Sequence, residues 1–277
     1  MSTVPSLKMN NGLQIPQLGF GVFLVPPEET KQAVTEALRC GYRLIDTAQG
    51  YQNEEGVGAA IAESDVPRDE LFITTKLTNS EQGYDNALAA FDVSMKKLGL
   101  DVLDLFLIHW PLPMFDEYVE TWRAFERLLA DGRVRSIGVS NFEIPHLERL
   151  LAETNVTPAV NQVELHPQFP QGELRTFDEE HGILTESWGP LGQGKGLLED
   201  PHIVEVAQSR ERTPAQIVLR WHVQLGCVVI PKSVNPDRIR ENIEVFDFAL
   251  DDADMAEISK VRSGERLGAD PNVFAMR

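Results

Sequence analysis

The chain has 277 residues, 42% of them apolar, and a formal charge of −18; this suits one large α/β domain or two small ones, while the acidity makes the whole repel nucleic acid and anionic membrane. No stretch approaches the roughly 18 consecutive apolar residues of a membrane span, and the opening Met1-Ser2-Thr3-Val4-Pro5 lacks the basic and apolar regions of a secretory signal, so a cytoplasmic protein is expected. The two cysteines, Cys40 and Cys227, make neither a disulfide framework nor a metal-ligand spacing, and no metal is expected.

In chain order, Met9 to Ile15 comes first and reads as a small hairpin around Asn10-Asn11-Gly12, fit to plug the amino-terminal end of a barrel. Short apolar runs of strand length then recur. They centre on Leu18 to Gly21, Arg43 to Asp46, Phe72 to Lys76, Leu105 to His109, Ser136 to Val139, Ala159 to Val163, Leu184 to Trp188 and Val228 to Pro231. Helical periodicity fills the intervals, as in Glu28 to Cys40, Tyr84 to Leu98, Tyr118 to Asp131 and Pro145 to Glu153. The helix from Pro214 carries the fullest signals: Thr213 as N-cap, Gln216 as capping-box partner, Gly226 as stop, and an apolar stripe of Ile217, Trp221 and Leu225.

Even spacing without a linker or composition shift predicts a single domain over 1–277. Eight βα units in about 250 residues predict an α/β fold of the closed (β/α)8 TIM-barrel type with a short N-terminal β-hairpin. The alternative is an open doubly wound sheet, against which no Gly-x-Gly-x-x-Gly follows the first strand. The tail from Gly264 to Arg277 reads as a late loop that either folds over a site or frays.

In a barrel of this kind chemistry gathers where the strands end. The residues there are Asp46, Lys76, His109 with Trp110, Ser140 with Asn141, Gln162, Trp188, and Lys232 with Ser233. An ionisable group at the end of a buried strand is costly unless paired or used, so Asp46, Lys76 and His109 suggest one shared site. Tyr51, five residues after Asp46, is close enough to join it.

The motifs Asp46-Thr47-Ala48-x-x-Tyr51, Ile73-Thr74-Thr75-Lys76-Leu77, His109-Trp110-Pro111, Gly138-Val139-Ser140-Asn141-Phe142, Asn161-Gln162-x-Glu164-x-His166-Pro167 and Ile230-Pro231-Lys232-Ser233 run in order through nearly the whole chain. In this the sequence resembles the aldo-keto reductases, most of all bacterial members that reduce 2,5-diketo-gluconate. The resemblance implies a monomeric enzyme that reduces a small-molecule carbonyl with NADPH.

The residues make chemical sense in that role. A carbonyl that accepts hydride needs a proton, which the Tyr51 phenol can give if the Lys76 ammonium brings its pKa down. Asp46 would hold Lys76 charged and in place, and His109 would donate a hydrogen bond to the substrate oxygen. Taken singly, a Tyr near a strand end usually packs and an Asp–Lys pair is usually structural; four together at family spacing favour catalysis. His166 reads as a loop-fixing residue, and His146, His181, His202 and His222 lie on helical stretches without an evident partner.

For the cofactor, the resemblance assigns Ser140, Asn141 and Gln162 to the nicotinamide carboxamide, and Trp188 offers its ring a flat face. In the segment from Lys232 through Ser233 and Val234 to Arg238, Asn235 reads as N-cap and Pro236 as first helical residue. The helix start and the basic residues suit a 2′-phosphate, unless Asp237 simply pairs with Arg238. Asn242, with Glu241 beside it, is left for the adenine end, as the family suggests. The Gly-rich run beginning Gly189, Pro190, Leu191 and continuing through Gln193 and Gly194 is either a strap over the pyrophosphate or a bland connection.

Phe23, Trp110 and Phe274, with His109, are expected to wall an apolar substrate pocket. Two residues depart from the family pattern: Thr78 stands where close relatives often carry Trp, and Gln52 where Gly is usual, which bears on the placement of Tyr51. Two rival functions share the barrel, a cofactor-binding sensor with little turnover and a phosphate-handling isomerase or lyase.

Overall fold

The computed structural model describes residues 4–261 and 264–277. Strands β1 (Ser6–Lys8) and β2 (Gln14–Pro16) form an antiparallel hairpin with Leu7 opposite Ile15. Its turn holds Asn10, Asn11 and Gly12, the last at φ 87, a conformation that glycine adopts without strain. Asn10 donates to the Pro158 carbonyl at 2.9 Å and Asn11 to Ser136 Oγ at 2.8 Å. The hairpin is therefore tied beneath the starts of two barrel strands.

Eight parallel strands follow: β3 (Phe20–Gly21), β4 (Leu44–Asp46), β5 (Phe72–Leu77), β6 (Leu103–Ile108), β7 (Val134–Ser140), β8 (Val160–Glu164), β9 (Leu184–Trp188) and β10 (Val228–Val229). Each pairs with its sequence neighbour. The ring closes through a parallel bridge between Leu18 and Val229, with the Gly19 amide bonded to the Val229 carbonyl at 2.9 Å and the Gly21 amide to Pro231 at 3.0 Å. The fold is thus a (β/α)8 barrel with an N-terminal hairpin, and closure sets aside the open doubly wound sheet.

The helices are α1 (Pro27–Cys40), α2 (Glu54–Ala62), α3 (Tyr84–Leu98), α4 (Tyr118–Ala130), α5 (Ile144–Glu153), α6 (Gly172–Glu180), α7 (Pro201–Arg210), α8 (Pro214–Gln224), α9 (Pro236–Ile243) and α10 (Asp252–Ile258). Thr213 and Gln216 form the expected reciprocal capping box at α8, and Gly226 turns left-handed at φ 77 just past its end.

Strand alternation divides the core in two. Ile45, Ile73, Phe106 and Ile108 face outward into the helical ring, where Phe106 stacks on Phe125 at 4.3 Å. Leu44, Phe72, Leu105, Leu107, Val160 and Val228 face inward and meet Met9 and Ile15 of the hairpin. The lower lumen is therefore a closely packed, mainly apolar plug. Among the described residues, no helix is long and apolar enough to cross a membrane.

The tail folds across the barrel mouth, the first of the two alternatives left open for it. Gly268 donates its amide to Glu164 at 2.8 Å, Asn79 donates to the Met276 carbonyl at 2.8 Å, and Arg277 pairs with Glu117 at 2.6 Å.

Candidate active site

The geometry brings Asp46, Tyr51, Lys76 and His109 together. Asp46 ends β4 and Lys76 lies near the end of β5, both facing the lumen; His109 is the first residue past β6. Lys76 Nζ donates to Asp46 Oδ1 at 2.6 Å, to the Thr47 carbonyl at 3.0 Å and to the Tyr51 hydroxyl at 3.3 Å. Three acceptors satisfy the three protons of an ammonium that is wholly buried. The Tyr51 and His109 rings meet edge to face at 5.7 Å.

Tyr51 closes a 3-10 turn (Gln49–Tyr51) held from several sides. Gln49 donates to the Ala90 carbonyl and to Ser94 Oγ, both at 2.8 Å, and accepts from the Thr78 amide at 2.9 Å. Next to it, Asn53 accepts from Thr47 Oγ1 at 2.8 Å and donates to the Val22 carbonyl at 2.9 Å. Gln52 adopts φ 57, the left-handed region that glycine occupies most easily. The usual Gly is thus replaced at a modest conformational cost, and the surrounding bonds fix the turn that carries Tyr51.

Burial works against charge here. It pushes the Tyr51 phenol above its ordinary value, and the opposing pull of Lys76 offsets only part of this. This corrects the expectation of a lowered phenol: Lys76 acts in the expected direction but burial outweighs it, so the group rests as a protonated donor. Burial would also lower Lys76, yet the nearby Asp46 reverses the sign and keeps the ammonium charged. His109 is pushed down to about 3, first by burial and then by Lys76, and is a neutral imidazole at any ordinary pH.

The carboxamide candidates at the ends of β7 and β8 are bonded to one another. Ser140 Oγ donates to the Gln162 carbonyl at 2.8 Å, and Asn141 donates to the His109 carbonyl at 2.9 Å and to Ser140 Oγ at 3.1 Å. Trp188 Nε1 donates to Asn141 Oδ1 at 2.8 Å, which fixes the indole at the mouth. Gln162 spends its amide N–H groups inward, on Asp46 Oδ2 at 2.9 Å and Glu186 Oε2 at 3.1 Å. That leaves its side-chain Oε1, as distinct from the backbone carbonyl that Ser140 meets, to accept from a ligand.

In the anion-binding candidate, Asn235 Oδ1 caps α9 by accepting from the amides of Asp237 at 2.9 Å and Arg238 at 3.2 Å. Asp237 reaches toward Arg240 at 3.7 Å instead of Arg238, removing the simple pairing that argued against a phosphate. Lys232 and Arg238 are exposed and, among the described residues, have no carboxylate partner. Two unpaired cations at a capped helix start fit a phosphate. Ser233 and Asn242 are buried beside them, Val234 is exposed, and Glu241 turns toward α8 to accept from Thr213 Oγ1 at 2.5 Å.

The Gly-rich run after β9 is not wholly irregular. It contains a 3-10 turn, Gly192–Gly194, with Gln193 left-handed at φ 52, and follows Gly189, Pro190 and Leu191. Lys195 donates to the Leu267 carbonyl at 3.0 Å, joining this run to the tail. Of the pocket residues, Trp110 and Phe274 pair at 4.3 Å and Phe23 lies against Tyr51 at 5.0 Å.

His166 is buried and meets Glu164 at 2.9 Å, as a loop-fixing residue should. Burial would raise the Glu164 carboxyl, but His166 and the tail amides of Leu267 and Gly268 hold it below its ordinary range. The remaining histidines do have partners: His146 caps α5 through the Glu143 amide at 3.1 Å, His202 pairs with Glu257, His181 meets the Phe177 carbonyl at 2.8 Å, and His222 the Pro190 carbonyl at 3.4 Å. Residue type alone does not reveal such contacts. Glu186 is not foreseen as a site residue, since between Thr185 and Ser187 it interrupts no apolar run, and Glu164 is read only as a member of a motif.

The chain is similar to known proteins over nearly its whole length. The profile of the Aldo/keto reductase family matches residues 17–263. An aldo-keto reductase of Mycolicibacterium smegmatis is 55% identical over 98% of each chain. The methylglyoxal reductase DkgA of Yersinia pestis is 52% identical over 99% of each. A mutant of Gox0644 solved in complex with NADPH superposes with a TM-score of 0.94 at 51% identity, covering 99% of both chains. The chain belongs to the aldo/keto reductase family.

Proposed function

We propose that this protein is an NADPH-dependent reductase of aldehydes and ketones, dicarbonyls and keto-sugars among them, with Tyr51 as proton donor. The observation that carries the reading is the bond from Lys76 to the Tyr51 hydroxyl. Because the hydroxyl oxygen accepts from the ammonium, its own proton is left for an incoming oxygen. As that proton leaves, the phenolate forms beside a buried cation held by Asp46, which favours its release. Neutral His109 can donate an N–H to the same substrate oxygen and stabilise the charge developing there.

The residues fit a nicotinamide dinucleotide phosphate. Lys232 and Arg238 offer unpaired charge at the start of α9, Ser140, Asn141 and Gln162 offer polar groups at the ends of β7 and β8, and Trp188 offers an aromatic face. Leu191 and Gln193, with Gly189, Pro190 and Gly194, form the connection that would cover the cofactor, Val234, Glu241 and Asn242 would meet its far end, and Phe23, Trp110, His109 and Phe274 would line the substrate pocket. A bound NADPH supplies the hydride, which no side chain can. The role of the chain is to bind, orient and exclude water.

The reading extends to a single domain, working as a monomer in the cytoplasm, which sedimentation and cell fractionation would check. The activity is tested by following NADPH and NADH oxidation with methylglyoxal, 2,5-diketo-gluconate and a panel of aldehydes and ketones. Turnover with NADPH well above NADH is expected. Tight NADPH binding with no turnover on any carbonyl would instead favour a cofactor sensor.

A further inference from the structure

Glu186 has no role in the reading above. It sits in the middle of β9, wholly buried, with Gln162 of β8 and Val228 of β10 beside it in register. Gln162 Nε2 donates to Glu186 Oε2 at 3.1 Å and to Asp46 Oδ2 at 2.9 Å. One amide thus joins two carboxyl groups, and the second of these holds the ammonium that touches Tyr51. Glu186 Oε1 is buried and has no hydrogen-bond partner among the described residues.

Two carboxylates and one ammonium would leave a net negative charge above a lumen of Leu44, Phe72, Leu105, Val160 and Val228, which cannot solvate it. We propose that Glu186 is a positioning residue that carries a proton in the working enzyme, and that ionising it weakens Tyr51 as a proton donor through Gln162, Asp46 and Lys76. Burial, and after it the charge of Asp46, pushes this carboxyl up to about 8, with Gln162 and Lys76 acting the other way. The ionisable groups acting on it are Asp46 from β4 and Lys76 from β5, and it acts in turn on Tyr51 from the turn after β4. Its register neighbours Gln162 and Val228 carry no charge.

The direction follows from charge. Below about 8 Glu186 is neutral, Asp46 and Lys76 cancel, and a phenolate forming on Tyr51 meets a net attraction. Above it, a second carboxylate tightens the hold of Tyr51 on its proton, so reduction slows as pH rises.

The activity arm of the test rests on the reductase reading; a second arm does not. The kcat for methylglyoxal at saturating NADPH is followed from neutral to alkaline pH in wild type and in Glu186→Gln, each relative to its own maximum. The alkaline limb of the variant should lie about one pH unit or more higher; coincident limbs would overturn the proposal. In parallel, infrared spectra are taken of wild-type protein labelled with 13C-glutamate. The label keeps out buried Asp178, whose carboxyl burial pushes to about 7. A protonated glutamic acid band at neutral pH that fades as pH rises through about 8 is expected. A wild type whose glutamates are all ionised at neutral pH contradicts the proposal even if the variant does not fold. Absence of any reductase turnover would remove the functional reading and leave the infrared result standing.

Discussion

On β4 and β5 the alternation that turns Leu44 and Phe72 into the lower lumen turns Asp46, two residues on, and Lys76, four residues on, into the upper lumen. The lower half is closed by Met9 and Ile15 and is lined mainly by aliphatic and aromatic groups, with the buried Ser136 hydroxyl taken up by Asn11. The upper half strings Glu186, Gln162, Asp46, Lys76 and Tyr51 into one bonded chain. The contrast explains how buried charge is tolerated: the lower half supplies the stability and the low dielectric, and the upper half uses that dielectric to strengthen its few polar contacts.

Removing one partner of the buried pair should break the contrast most strongly. Lys76→Met leaves Asp46 charged and unpaired, and should lower the unfolding free energy by about 3–5 kcal/mol. Denaturant midpoints would measure this, and the double variant Asp46→Asn/Lys76→Met should recover part of the loss because no lone charge remains. A full loss persisting in the double variant would mean that the pair is not the source of the effect.

Hollowing the lower half should be milder and purely structural. Ile15→Ala removes a fully buried side chain from the plug and should cost roughly 2–4 kcal/mol of stability, with the shape of the pH–rate profile unchanged. A profile altered by this substitution would show that the two halves are not separable.

The rim should give the smallest effect. Arg238→Ala removes an exposed cation at the capped start of α9 and should raise KM for NADPH roughly tenfold, the scale of one hydrogen bond to a charged group, while leaving KM for NADH little changed. Equal changes for both cofactors would remove the 2′-phosphate from its assignment.

Much of this contrast was legible in the chain. The strand ends announced Asp46, Lys76 and His109 because polar residues interrupt apolar runs there, and Tyr51 followed from its spacing to Asp46. The α8 capping box was equally readable, since all its signals are local. Less readable were features set by closure of the ring. Glu186 meets Asp46 only because Gln162 spans two strands, and the tail reaches Glu164, Asn79 and Glu117 from more than a hundred residues away along the chain. The net direction of the Tyr51 shift was also hidden, because it depends on how the fold surrounds the half-buried ring.

The most direct test of the account is Tyr51→Phe, assayed for methylglyoxal reduction at saturating NADPH alongside an NADPH titration followed by tryptophan fluorescence. The account predicts unchanged NADPH affinity with turnover lower by about 10²-fold or more, the loss expected on removing a general acid. Turnover close to wild type in that variant would contradict it.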